Sequence, residues 1–225
     1  MTRAVELDVA ETGEGAPEFG PEFRELLYDL LKWRRDVRRF KRAPLPAGTI
    51  ERLIAIACLS PSVGLSEPWR FVIIEDEGRR AAIRACFEAC NKDALAMQTP
   101  DRAALYARLK LAGLDDAPCQ IAVFADRSTA QGAGLGRLTM PETLVYSVVN
   151  AIHTLWLAAR AEGIGVGWVS ILDPKRIAAI LDVPADWVFI GHLCVGYPHA
   201  SDDRPALERA GWERRHEPAS TVLYR

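Results

Sequence analysis

The chain has 225 residues, of which 49% are hydrophobic and 26% are charged, and its formal net charge is -2. This length favours one domain with a substantial core, and the near-neutral charge gives no bulk reason to expect binding to nucleic acid or to an anionic membrane. No apolar run is long enough to span a bilayer, so we expect a cytoplasmic protein that binds any anion at a local site.

Residues 1–20 are polar and acidic and lack the apolar core of a signal peptide. We therefore predict a flexible leader at 1–20 followed by a single domain at 21–225. The five cysteines form no CxxC pair and lie mostly in apolar segments, a pattern typical of free thiols in a reducing compartment. The four histidines show no metal-ligand spacing, so we expect no metal site.

Apolar residues at helical spacing predict an amphipathic helix from about Pro21 to Trp33, with one buried stripe. A second helix around Leu53 is expected to stop before Ser60-Pro61. The β-branched run at Phe71–Ile74 then predicts a buried strand. The basic residues after Trp33 should therefore lie at the end of the first helix.

The segment from about Gly78 to Ala112 has the composition of helices but is only weakly amphipathic, and Met97–Pro100 interrupts it. This pattern indicates a candidate lid between Ala89 and Ala112. A further buried strand is predicted at Gln120–Ala125, and a glycine-rich loop at Gly132–Gly136 follows it.

The longest predicted helix, from about Met140 to Ala161, is apolar on nearly every side. One chain of this size can hardly cover such a helix all round, so the pattern favours a homodimer interface. Two more buried strands are predicted at Gly165–Ile171 and Trp187–Val195, with a helix from about Pro174 between them. Because helices and strands interleave without regular βαβ units, we predict an α+β fold.

Two short strings carry candidate chemistry. The first is Arg34-Arg35-Asp36-Val37-Arg38, here called the arginine motif, and the second is Ser60-Pro61-Ser62-Val63-Gly64-Leu65-Ser66-Glu67-Pro68-Trp69-Arg70, here called the serine loop. Taken alone, the first is most simply a solvated basic face and the second a turn rich in glycine, proline and serine. Together, and at this separation, they resemble the two flavin-contacting motifs of the nitroreductase superfamily.

Within that superfamily, Asp36 together with Gly167-Trp168-Val169-Ser170 resembles the branch whose enzymes fragment reduced FMN with dioxygen. The product of that reaction is 5,6-dimethylbenzimidazole, the lower ligand of cobalamin. The resemblance implies a central mixed or antiparallel sheet flanked by helices in an intertwined homodimer. It also implies FMN as substrate, dioxygen as co-substrate, and a separate flavin reductase that supplies reduced FMN.

The resemblance assigns catalysis to Asp36 and Ser170. Asp36 stands where most nitroreductases have Ser or Thr, and a carboxylate near the flavin could steer protons. The glycines of the Ser170 string would let the backbone approach the flavin ring closely. The implied flavin-binding residues are Trp33, Arg34, Arg35, Asp36, Val37, Arg38, Ser62, Val63, Gly64, Leu65, Ser170 and Arg204.

Some positions depart from the common pattern. Arg204 matches the C-terminal phosphate-contacting arginine of the superfamily, but the second basic position two places earlier is Asp202. In the serine loop, Leu65 replaces a frequent Asn and Glu67 a frequent Gln. An NAD(P)H-dependent FMN nitroreductase is therefore the main alternative, and a module that binds flavin or nucleic acid without turnover is a third. Asp36 favours the flavin-fragmenting enzyme.

Overall fold

The computed structural model describes residues 16–216 and 221–225, and the predicted leader falls outside these ranges except for residues 16–20. One 3₁₀ turn covers Val63–Leu65. Within the described ranges, the helices and strands in chain order are α1 (Pro21–Trp33), α2 (Thr49–Ala57), β1 (Trp69–Ile73), α3 (Glu77–Ala96), α4 (Pro100–Tyr106), β2 (Cys119–Asp126), α5 (Thr143–Ala161), β3 (Gly165–Val169), α6 (Pro174–Leu181), β4 (Trp187–Gly196) and α7 (Ala206–Arg209).

In the described part of the chain, four strands form one antiparallel sheet in the order β1-β2-β4-β3. The register between β2 and β4 shifts between Val123 and Phe124, where a bulge bends the sheet. Helices pack on both faces, so the predicted α+β class is confirmed. Strand β3 lies at one edge of the sheet, and among the four described strands it pairs only with β4.

The core lies on both faces of this sheet because β2 alternates its apolar side chains between them. Ile121 and Val123 belong to the cluster that also contains α2 and α5 side chains, whereas Ala122 and Phe124 belong to the cluster formed with α3 and α6. A strand buried on both faces carries a continuous apolar run, which explains why β2 was recognisable in the sequence.

The predicted helices and strands are confirmed with small shifts of their ends. The interruption of the 78–112 segment separates α3 from α4, as predicted. Helix α5 begins at Thr143, three residues after the predicted Met140, because the preceding residues form turns closed by the bonds from Met140 N to Gly136 O and from Thr143 N to Met140 O. In the described ranges, no helix has the length and apolar character needed to cross a membrane.

The predicted buried stripe of α1 is not found in the single chain. This helix buries none of its residues, and Phe23, Leu26 and Leu31 are 46%, 68% and 41% exposed. Helix α1 packs on α5 and turns much of its apolar side away from the rest of the described chain. The outer side of α5 is also uncovered, since Tyr146 and Val149 are exposed.

A polar network crosses the core beneath the site described below. His192 on β4 is fully buried, and its Nε2 lies 3.0 Å from Gln120 Oε1, while Gln120 Nε2 donates to the Leu114 carbonyl at 2.9 Å. Burial lowers the pKa of His192 to about 4, with a smaller lowering from the charge of Arg80. His192 is therefore neutral at pH 7 and its Nε2–H is the donor to Gln120.

This burial predicts an acid-sensitive fold. Between pH 6.5 and about 4 the unfolded chain binds a proton at His192 that the folded chain does not, so the free energy of unfolding falls as the pH falls through that window. The loss from pH 7.5 to 5.5 should be about 1 kcal/mol. Urea unfolding of the parent and of His192→Gln at both pH values tests this. The variant should lose that part of the pH dependence, and an unchanged pH dependence would contradict the assignment.

Candidate active site

The arginine motif leaves α1 in an extended conformation and runs beside β3. Arg34 has φ -70° and ψ 110°, and its N–H donates to the Leu30 carbonyl at 2.8 Å. Asp36 forms a parallel bridge with Val166, and the Val37 N–H donates to the Val166 carbonyl at 3.0 Å. The motif thus behaves as a short added strand on the open edge of the sheet.

The Asp36 carboxylate is held from two directions. Its Oδ1 accepts from the Trp168 backbone N–H at 2.8 Å, and its Oδ2 accepts from Arg38 Nε at 2.6 Å and pairs with Arg38 Nη2. Arg38 also donates from Nη1 to the Lys110 carbonyl at 3.1 Å. Hydrogen bonds between charged groups are short and strong. These contacts therefore hold the Asp36 carboxylate beside β3 even when no ligand is bound.

Two glycines of β3 make room for this contact. A Cβ at Gly165 would lie 2.7 Å from Val37 Cγ2, and a Cβ at Gly167 would overlap the Val37 carbonyl oxygen. The predicted close approach of the flavin ring to this backbone stays a prediction. On the side where a Cβ would lie, the chain's own Val37 occupies the space. Their role is to let the arginine motif approach β3.

The first two arginines of the motif have different surroundings. Arg35 donates from Nε and Nη2 to the Asp203 carbonyl at 3.0 and 2.7 Å, and from Nη1 to the Arg34 carbonyl at 2.7 Å, so its donors bind the C-terminal part of the chain. The Arg34 guanidinium lies 4.7 Å from the centre of the Trp156 ring.

Positive charge is crowded around this pair. Burial lowers the pKa of both guanidinium groups, and the charge of Arg215 lowers both further, while Asp36 raises that of Arg34. Arginine remains protonated at any ordinary pH, so the crowding does not remove its charge. It does favour an anion nearby, which would relieve the repulsion.

A cavity of about 370 Å³ opens beside the arginine motif. One wall is the motif with Gly165 and Val166, and the opposite walls come from the residues after α4 and from the segment around α7. Eight of the lining side chains are cationic: Arg35, Arg38, Arg39, Arg108, Lys110, Arg160, Arg204 and Arg209. The local charge of the cavity is therefore strongly positive, although the whole chain carries a net charge of -2.

Arg204 lines this cavity, as its predicted role in phosphate binding requires. The predicted second basic position is Asp202, whose Oδ1 accepts from the Arg204 N–H at 2.8 Å and whose Oδ2 pairs with Arg209 Nε at 3.1 Å. Arg209 thus brings a positive charge next to Arg204. Sequence analysis missed Arg209 because it lies outside the motif and reaches the cavity only through α7.

The serine loop does not join the arginine motif in the single chain. The Val63 N–H donates to Ser147 Oγ at 3.0 Å, whereas Trp156 Nε1 donates to the Arg35 carbonyl at 3.3 Å. Ser147 and Trp156 are both on α5, nine residues and thus about 13 Å apart along the axis. The two predicted flavin-contacting motifs therefore lie toward opposite ends of one helix.

The serine loop is held by a hydrogen bond within the loop and by one from Gln131. Ser62 Oγ accepts from the Glu67 N–H at 3.1 Å, and Gln131 Nε2 donates to the Leu65 carbonyl at 2.7 Å. Leu65 and Glu67 both have positive φ, 54° and 42°, a conformation that side chains with a Cβ rarely adopt. The Leu65 side chain is 69% exposed, so it makes little contact within one chain.

Ser170 lies one residue beyond the end of β3 and is exposed. Trp168, which donates to Asp36, is two residues earlier, so Ser170 stands about 7 Å further along the strand direction. Ser170 does not line the cavity. Asp36 thus contacts β3 at Val166 and Trp168, whereas Ser170 follows the last residue of that strand.

Several residues that line the cavity could not be recognised as site residues from the sequence. Trp156 belongs to the apolar pattern of α5, and the segment Pro198–Ser201 follows β4 without a motif. Arg108 and Lys110 lie in the predicted lid between Ala89 and Ala112, and they line the cavity directly after α4. The lid itself stays a prediction, but part of the predicted segment lines the cavity.

Comparison with known proteins identifies the family. Residues 31–197 match the model of the nitroreductase family, which covers most of the chain. The chain belongs to the nitroreductase family. This match includes the arginine motif, the serine loop and all four strands of the described sheet.

Two relatives within the family have the same name, 5,6-dimethylbenzimidazole synthase. The chain is 56% identical over 199 residues to a 5,6-dimethylbenzimidazole synthase of Rhodospirillum rubrum, which covers 88% of this chain and 94% of that one. It is 47% identical over 195 residues to a 5,6-dimethylbenzimidazole synthase of Rhodobacter capsulatus, with 87% and 94% covered. Among solved structures, an iodotyrosine deiodinase bound to FMN and 3-iodo-L-tyrosine matches with a TM-score of 0.69 at 27% identity, covering 88% of this chain and 97% of that one.

Proposed function

We propose that this nitroreductase-family protein is a 5,6-dimethylbenzimidazole synthase, in which reduced FMN is the substrate and dioxygen the co-substrate. The observation that carries the proposal is the 56% identity to the Rhodospirillum rubrum enzyme across 94% of its length. The nitroreductase alternative is less well supported, because two relatives 56% and 47% identical over most of the chain carry the synthase activity in their names.

The cavity fits FMN in size and in charge. A volume of about 370 Å³ is within the range of small-molecule sites, and FMN carries a phosphate dianion that needs cationic partners. Within the described residues, the guanidinium groups of Arg39, Arg108 and Arg204 have no carboxylate partner and are free to bind an anion. We assign the phosphate to the Arg204 side of the cavity and the flavin ring to the Asp36 side.

Reduced FMN, when bound, supplies the electrons that dioxygen accepts and the ring atoms that become the benzimidazole. The task of the protein is then to orient this ring, exclude water and move protons. Asp36 can take up or return a proton at the carboxylate oxygens that Trp168 and Arg38 hold in place. The Ser170 hydroxyl, beyond Trp168, can donate or accept a hydrogen bond at the neighbouring position. Because each turnover consumes FMN, we propose that a separate flavin reductase delivers the reduced form.

We further propose that two chains form a homodimer and that each complete site contains the arginine motif of one chain and the serine loop of its partner. Three observations support this arrangement: the two motifs lie about 13 Å apart along α5, the apolar side of α1 is exposed, and Leu65 of the serine loop makes little contact within its own chain. The five free cysteines suit the reducing cytoplasm, where we place the enzyme.

The role of Asp36 can be tested with Asp36→Asn, which keeps the size of the side chain but removes its charge and its capacity to accept a proton. The variant should still bind FMN, but formation of 5,6-dimethylbenzimidazole should fall by about 10²- to 10⁴-fold, as is typical for loss of a general acid or base. Single-turnover aeration of enzyme loaded with reduced FMN, followed by chromatography, measures the product.

Two outcomes of this experiment would count against the proposal. If Asp36→Asn formed the product at the parental rate, Asp36 would have no catalytic role. The second variant, Ser170→Ala, should show a milder loss of product formation. A parent enzyme that forms no benzimidazole and reduces nitroaromatics with NAD(P)H would instead be an ordinary nitroreductase.

The phosphate site can be tested by comparing FMN with riboflavin, which lacks the phosphate. Arg204→Ala and Arg108→Ala should each weaken FMN binding by about 10- to 100-fold, the effect of losing one charge-assisted hydrogen bond, and should change riboflavin binding far less. Arg34, predicted for the same role, does not line the cavity and stacks on Trp156 instead. Arg176→Ala removes an exposed cation on α6, remote from the cavity, and is the matched control. Equal losses for both flavins in a fluorescence titration would show that the arginines do not contact the phosphate.

The dimer can be tested by sedimentation. Analytical ultracentrifugation should show a dimer down to nanomolar concentration, because obligate interfaces bury about 2,000 Å² or more. Leu26→Glu on the exposed side of α1 should produce monomers that retain secondary structure but lose FMN, whereas Glu208→Ala on α7 should leave the dimer intact. A folded parental monomer that binds FMN would refute the shared site.

A further inference from the structure

The cavity has two walls that no strand of the sheet holds. One is formed by Arg108–Lys110 directly after α4, and the other by Ala206–Ala210 on and after α7. Within α4 only Tyr106 is buried, and α7 has no buried residue among those described. Neither short helix is anchored by its own packing, so other contacts must keep the two walls together.

Trp212 supplies those contacts. Its backbone N–H donates to the Leu207 carbonyl at 2.9 Å, which fixes it to α7. Its ring meets the Tyr106 ring edge to face, with centroids 5.9 Å apart, and the Arg102 guanidinium stacks over it at 4.5 Å. Arg102 Nη2 also donates to the Trp212 carbonyl at 3.1 Å and lies 3.4 Å from Glu213 Oε2. One residue therefore joins α4 to α7.

The α4 side of this contact is itself connected to the core. The Tyr106 hydroxyl donates to Asn91 Oδ1 at 2.9 Å, which ties α4 back to the long helix α3. Beyond α4, the Lys110 carbonyl accepts the hydrogen bond from Arg38, the residue that holds Asp36. The chain after α4 is thus hydrogen-bonded to the arginine motif.

We propose that Trp212 is a positioning residue that closes the cavity by holding α4 against α7. The inference rests on the proposed function, in which this cavity holds FMN. Aromatic and cation–π contacts at a partly exposed site are individually weak, so the closure can open and close in each turnover. Closure retains FMN and excludes water while the ring is fragmented, and opening releases the fragments and admits the next FMN.

The first test measures the release of oxidised FMN, which needs no turnover. Trp212→Ala should release FMN about tenfold faster than the parent, the expected effect of removing an aromatic pair and a stacked cation, whereas Trp212→Phe should stay close to the parent. FMN fluorescence after dilution of the loaded protein gives the rate. Arg214→Ala, which removes an exposed charge from the same segment, is the matched control and should release FMN at the parental rate.

The second test separates closure from simple stabilisation of the fold. Aerated enzyme loaded with reduced FMN should divide its product between benzimidazole and hydrogen peroxide, and Trp212→Ala should shift that ratio toward peroxide. Arg102→Lys, which keeps the charge but loses the planar stack, should shift it in the same direction by a smaller factor. A lower melting temperature in Trp212→Ala with parental release and parental product ratio would refute the inference.

The two tests also distinguish this inference from the proposed function. If the parent forms no benzimidazole, the synthase proposal fails, but the FMN release rates still decide the role of Trp212. If the parent forms benzimidazole and Trp212→Ala matches it in both measurements, the synthase proposal stands and the closure by Trp212 is refuted.

Discussion

The contact between the arginine motif and β3 sets the position of the groups around the cavity. The motif adds to the open edge of the sheet through the bridge between Asp36 and Val166, and only glycine at position 167 lets the Val37 carbonyl approach so closely. The same contact presents the Trp168 N–H to the Asp36 carboxylate. Strand β3 thereby orients the side chain of Asp36, which lies in an extended segment outside the sheet strands. A side chain held by a strand is positioned more exactly than one held by a loop.

Charge makes the cavity selective without changing the character of the whole surface. The chain is slightly acidic overall, yet cations line the cavity from at least three separate segments: the arginine motif, the residues after α4, and the region around α7. Such local concentration of charge favours an anion in the cavity without making the whole surface basic. Asp36 and Asp202 are the acidic side chains of the lining, and each pairs with an arginine, Asp36 with Arg38 and Asp202 with Arg209.

Sequence reasoning recovered most of the fold because the strands are rich in apolar and β-branched residues, and β2, buried on both faces, reads as a continuous apolar run. It also located the arginine motif and Arg204 in one cavity. It failed for α1, since an apolar stripe at helical spacing indicates what a helix can bury but not whether the covering surface belongs to the same chain. It did not anticipate that Val37 packs against the β3 glycines, because a close approach between distant segments leaves no periodic signal. Arg209 and Trp212 were missed for the same reason.

The Arg35 guanidinium joins residues 168 positions apart in the chain, since it donates to the Asp203 carbonyl. Long-range contacts of this kind form late in folding, after the local helices and the sheet have reduced the cost of closing the loop. During synthesis, the arginine motif and β3 emerge from the ribosome well before the residues of the second wall. The nascent chain can thus build its core first, and the cavity is completed by Arg204 and Arg209 only after the segment around α7 has been translated.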